Sequence, residues 1–141
     1  MSVLPGQLFR AASSGVQVIQ RFTPKQANLH WLECAEWRLE PGAQSASTTM
    51  AGRESLLFQW KGSSTIEIEN RQITLAPYDV LYIPLDTPFS VSAEKEAALI
   101  QCSATAANRH PLHVSRFAEL SQRDDRIRRL TALRTELSAM L

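Results

Sequence analysis

Few residues in this chain can carry chemistry. Glu54 opens the most apolar run, Glu54–Trp60 (ESLLFQW). Turned inward, it is a carboxylate in an apolar cavity. Burial then raises its pKa, and a general acid or base results. Turned outward, or paired with an arginine, it does neither. The histidines are His30, His110 and His113. Each is expected to be satisfied or exposed, because a metal would need His110-Pro-Leu-His113 to meet Glu54 across the fold. Cys34 and Cys102 are the only cysteines and have no CxxC spacing. They imply neither a disulfide framework nor a zinc knuckle, and they read as small hydrophobes in strand-like runs. Trp31, Trp37 and Trp60 are expected in the core. One that lines a cavity would offer an aromatic face to a sugar ring.

These side chains are positioned by a chain of 141 residues, the length of one ordinary domain. Hydrophobic residues make up 44% and charged residues 21%, which excludes a disordered or collagen-like chain. The net charge of +1 offers no global field for nucleic acid or membrane. Residues 109–141 carry seven arginines against four acids. A solvated basic face is the expectation there, and no helix-turn-helix partner precedes it. No run approaches the length of a membrane span and no signal peptide is read, so the default location is the cytoplasm.

The first 104 residues or so read as short strands separated by turns. Gly15–Phe22 is a first strand. His30–Leu39 is a longer one, with Trp31, Ala35, Trp37 and Leu39 on one face and Glu33 the misfit. Ser45–Gly52 is a loop or weak edge strand. Glu54–Trp60 leads into a hairpin turn at Lys61–Ser64. Thr65–Glu69 alternates with Ile66 and Ile68 inward, and Asn70-Arg71 turns the chain. Gln72–Leu75, Val80–Pro84, Phe89–Ala93 and Glu96–Ala104 complete the set. Evenly spaced short strands predict an antiparallel sandwich or barrel. After a connector, Ser115 is the expected N-cap of a helix to Leu141. Its apolar stripe runs through Leu120, Ile127, Leu130, Leu133, Leu137 and Leu141. The expected division is a barrel over 1–114 and an amphipathic helix over 115–141, packed on the barrel or a partner subunit.

The middle of the chain resembles a cupin. The first cupin block, G-x5-H-x-H-x3,4-E-x6-G, laid from Gly42, puts the two histidine positions on Thr48 and Met50 and the glutamate on Glu54. Gly62 closes it one residue late. In the second block, G-x5-P-x-G-x2-H-x3-N, Pro84 matches the proline, and Phe89 takes the histidine position. Tyr78 and Asp86 stand where the pattern has glycine. The resemblance implies an all-β cupin, a jelly-roll-like barrel, with a C-terminal helix. It also implies that Thr48, Met50, Glu54 and Phe89 line the cavity where three His and one Glu would hold a divalent metal. With all three histidines replaced, no metal and no other cofactor is expected.

A narrower resemblance follows. Phe22-Thr23-Pro24, Arg38-Leu39-Glu40-Pro41-Gly42 and Gly52-Arg53-Glu54 are similar to the N-terminal half of bacterial 5-deoxyglucuronate isomerase. So are Pro77, Val80, Tyr82-Ile83-Pro84 and Ser115-Arg116-Phe117. That enzyme belongs to inositol catabolism and is related to the 5-keto-4-deoxyuronate isomerase of pectin breakdown. Its family has two cupins, with the metal in the C-terminal one, so the resemblance implies a fold and carries no metal ligand onto this chain.

Three readings follow. The first is a stand-alone metal-free cupin that binds a small polar or sugar-acid ligand, or serves as a structural subunit, as a homodimer. The second is an aldose–ketose isomerase with Glu54 as base, which needs an electrophile as well. The third is a sensor or regulatory module. A sugar-acid ligand and a second copy are the expected partners; membrane and nucleic acid are not.

Overall fold

The structure, a computed structural model, describes residues 7–22, 25, 32–130 and 135–138. Strands β1 (Gln7–Ser13), β2 (Val16–Phe22), β3 (Leu32–Leu39) and β4 (Arg53–Lys61) come first. Then follow β5 (Ser64–Ile68), β6 (Arg71–Leu75), β7 (Val80–Ile83), β8 (Phe89–Ser92), β9 (Ala97–Thr105) and β10 (His113–Ser115). A seven-stranded antiparallel sheet has the order β1-β2-β3-β9-β4-β7-β10. It faces a second sheet of order β6-β5-β8. Single bridges Gln44↔Ser92 and Thr48↔Phe89 add the loop after β3 to that sheet's edge. The segment Ser45–Gly52, expected as a loop or weak edge strand, is a loop with a single bridge at Thr48.

The sequence alternation dictates which face is inside. In β5, Ser64, Ile66 and Ile68 are buried, and in β4, Ser55, Leu57 and Gln59 are buried. Leu57, Leu81, Leu99, Ile66, Leu75 and Val91 are fully enclosed between the sheets. Burial of such aliphatic side chains contributes about 1.5–3 kcal/mol each and drives the two sheets together.

Turn chemistry keeps the cupin frame. Tyr78 and Asp86 have φ of 72° and 53°. The left-handed backbone persists where the pattern's glycines have been replaced. The Asp86 carboxylate accepts the Gly52 N–H at 2.6 Å, tying the loop before β8 to the start of β4. The β5–β6 hairpin turns on Glu69-Asn70, both left-handed, one residue earlier than expected. Lys61–Ser64 is not a hairpin turn: it carries the chain from β4 in one sheet to β5 in the other.

Among the described residues of 115–141, the helix is far shorter than expected. Ser115 belongs to β10, and the helix α1 is a single turn, Phe117–Leu120. A 3₁₀ turn follows at Asp124–Arg126, and β11 (Ile127–Leu130) pairs antiparallel with β12 (Thr135–Ser138). α1 buries no residue and has no side-chain N-cap. Short helices depend on packing, and consecutive aspartates favour turns, so nothing extends this one. The segment is anchored at its start. Buried Asp79 accepts the Phe117 N–H and an Arg116 guanidinium N–H, both at 2.9 Å.

Candidate functional site

β3, β9 and β4 lie side by side, so their inward residues make one continuous wall. Glu33, Ala35 and Trp37 of β3 stand opposite Ser103, Gln101 and Leu99 of β9. Between this wall and the loop carrying Thr48 and Met50 is a cavity of about 390 Å³. Val18 and Gln20 of β2 close one side.

The wall is hydrogen-bonded throughout. The Trp37 indole N–H donates to Gln101 Oε1 at 2.8 Å. Gln101 Nε2 donates to Ser55 Oγ and Ser103 Oγ, each at 3.2 Å, and the two hydroxyls bond to one another at 2.8 Å. Every buried side-chain N and O among the described residues has a partner. Such a network costs little to bury and holds each polar group in a fixed direction. At the edge, the Arg53 guanidinium stands 3.8 Å from Glu33, the lining carboxylate. The lining offers a ligand amide and hydroxyl groups, the Glu33 carboxylate, and apolar surface from Ala35, Val18 and Met50, and Arg53 adjoins it as the partner of Glu33.

Two of the four expected lining residues are here and two are not. Thr48 and Met50 line the cavity. Phe89 does not: it is 1% exposed, packed in the core with its ring 5.9 Å from that of Trp37. Glu54 does not either. Its neighbour Ser55 points inward, so Glu54 lies on the outer face of β4, where it accepts the Tyr82 hydroxyl at 2.5 Å. Burial, and then the Glu54 hydrogen bond and charge, push the Tyr82 phenol up to about 12. The carboxylate on the cavity is Glu33, the misfit of the β3 face. Gln101, inside the apolar run of β9, is another polar lining residue that the cupin pattern did not single out. Both carry the same signal, a polar side chain interrupting an apolar strand face.

The remaining candidates scatter. His110 and His113 are exposed, and His113 is paired in register with Tyr82. His30 and Trp31 lie outside the described residues. Trp37 is core and cavity wall together, whereas Trp60 is 47% exposed rather than buried.

A sequence profile of the KduI/IolB family matches residues 7–126. The chain belongs to this family. No curated protein matches it significantly by sequence. An IolB-like protein from Salmonella typhimurium LT2 is 19% identical, with a TM-score of 0.64 over 82% of this chain and 46% of that one. The chain thus spans about half of that protein. KdgF from Halomonas sp. is 18% identical, with a TM-score of 0.57 over 70% of this chain and 86% of KdgF. A cupin superfamily protein from Desulfitobacterium hafniense DCB-2 is 15% identical, with a TM-score of 0.56 over 70% and 84%. The fold is a cupin.

The cupin frame implies a divalent metal, and the described residues that line the cavity do not fit one. The lining donors are amides, hydroxyls, a thioether and one carboxylate already paired with Arg53. Hard and borderline metals need imidazole or several carboxylates. No three of His, Cys, Asp and Glu gather around a metal position among the described residues. Nor is any described helix long and apolar enough to cross a membrane.

Proposed function

We propose that this KduI/IolB-family cupin is a metal-free binding protein that takes a small sugar acid in the cavity walled by β3 and β9. The observation that carries this reading is the fixed Trp37–Gln101–Ser55–Ser103 network beside the Glu33–Arg53 pair. Pockets for small ligands span roughly 300–1,000 Å³, and this cavity of about 390 Å³ falls within that range. Amides and hydroxyls suit sugar hydroxyls. A guanidinium suits a carboxylate, which it grips with two parallel hydrogen bonds. The apolar wall suits the carbon face of the ring. Glu54, the base of the isomerase reading, faces away from this cavity, so binding without turnover is the outcome expected. Pairing of two copies belongs to the same reading and is tested by light scattering on the pure chain.

Titration calorimetry with glucuronate and with glucose tests the ligand class, alongside elemental analysis of the untagged protein. Binding of the acid in preference to the neutral sugar, with no stoichiometric transition metal, is expected. One equivalent of bound metal, or turnover of 5-deoxyglucuronate, overturns the reading.

A further inference from the structure

The two cysteines, far apart in sequence, are direct partners in the β3–β9 ladder, Cys34 opposite Cys102. They lie on the outer face of the sheet, back to back with the cavity. Glu33 and Ala35, which flank Cys34, and Gln101 and Ser103, which flank Cys102, line the cavity on the inner face. Both thiols are free and half-buried, so a small reagent can reach them. In register the next outer-face neighbours are Phe22 on β2 and Leu56 on β4. Arg21 and Glu36 are the charged groups that act on Cys34.

We propose that Cys34 and Cys102 form a reversible disulfide that staples β3 to β9 behind the ligand cavity. Directly opposed residues in an antiparallel pair have Cβ atoms about 4.5–5.5 Å apart. A disulfide needs about 3.5–4.5 Å, so closure requires only a small approach of two strands that are already joined. The strain of that approach makes the bond easier to reduce than a structural disulfide, which is the property of a regulatory one. Burial, and then the neighbouring Cys102, push the Cys34 thiol up to about 11. Closure draws the strand positions of Glu33, Ala35, Gln101 and Ser103 together, so the oxidation state acts on the cavity wall.

The oxidant is a low-molecular-weight disulfide such as oxidised glutathione. One protein thiolate attacks a glutathione sulfur and releases one glutathione thiol. The second protein thiolate then attacks the mixed disulfide at the protein sulfur and releases the other. Two cysteine thiols are oxidised to one disulfide, oxidised glutathione is reduced to two thiols, and the two protons pass to them.

The full chain is equilibrated in glutathione buffers from reducing to oxidising, free thiols are alkylated, and intact mass and linked peptides are read. Both thiols should disappear together within one chain, with the mass lower by two hydrogen atoms. A Cys34–Cys102 peptide should appear and dithiothreitol should restore both thiols. Cys102→Ser should instead retain one glutathione on Cys34. The proposal is overturned by two free thiols under the most oxidising buffer, by stable glutathione on the wild-type chain, or by cross-links between chains. The wild-type measurement decides the matter even where the serine variant fails to fold.

Discussion

The Trp37 indole N–H donates to the Gln101 side chain at 2.8 Å, and this bond joins β3 to β9 across the wall of the cavity. Gln101 is 3% exposed and passes the connection on to two serine hydroxyls. One amide therefore aligns the indole, the hydroxyls and the face that a ligand would meet.

Replacing Gln101 with leucine leaves the Trp37 N–H without its acceptor. An unsatisfied buried polar group costs about 1–3 kcal/mol. Urea unfolding of Gln101→Leu should show a loss of that size, with sugar-acid binding abolished. A variant as stable as the wild type would show that the network is not tightly formed.

Arg53 should decide between acid and neutral sugars. Arg53→Gln should weaken glucuronate binding at least about tenfold, as expected for removal of a charge-assisted bond of roughly 1.5–3 kcal/mol. Glucose binding should change little. Calorimetry on the two ligands gives the ratio, and equal losses for both would remove Arg53 from carboxylate recognition.

The Glu54 carboxylate should matter to Tyr82 and not to the cavity. In Glu54→Gln the Tyr82 phenol, pushed up to about 12, should fall part of the way toward its ordinary 10.0, because burial, the larger cause, remains. Ultraviolet titration reads the phenolate, and Tyr82→Phe separates its signal from that of Tyr78. Sugar-acid binding should persist in Glu54→Gln; its loss would return Glu54 to the site.

Glu36 makes stability depend on pH. The hydrogen bond from Arg38, and then that from Arg21, hold its carboxyl below the ordinary 4.5 against the opposing effect of burial. A lowered folded-state pKa stabilises the protein above the unfolded value. That contribution disappears as pH falls from about 4.5 through the folded value. The stability gap between wild type and Glu36→Gln should therefore be full at about pH 6 and shrink toward about pH 3. Chemical unfolding at both ends measures it, and a gap independent of pH would contradict the assignment.

Much of the fold was legible because sheet structure writes a period of two into sequence. Ile66 and Ile68 announce the inward face of β5, and Trp37 and Leu39 that of β3. The cupin frame was legible even where its glycines had changed, since Tyr78 and Asp86 keep the left-handed backbone the frame demands. The terminal stripe misled. Apolar spacing reports which residues could share a face, whereas helix formation past Leu120 required packing that α1 lacks.

The sequence by itself determined strands β2 to β9, the family resemblance and the loss of the three histidines from the cupin pattern. Tertiary structure decided the site. A shift of one residue exchanges the two faces of a strand, and only the pairing of β4 with β9 and β7 turned Ser55 inward and Glu54 outward. The pairing of β3 with β9 placed Glu33 and Gln101 in one wall and set Cys34 against Cys102. Contacts between residues so distant along the chain depend on the register of whole strands, which no local run of residues encodes.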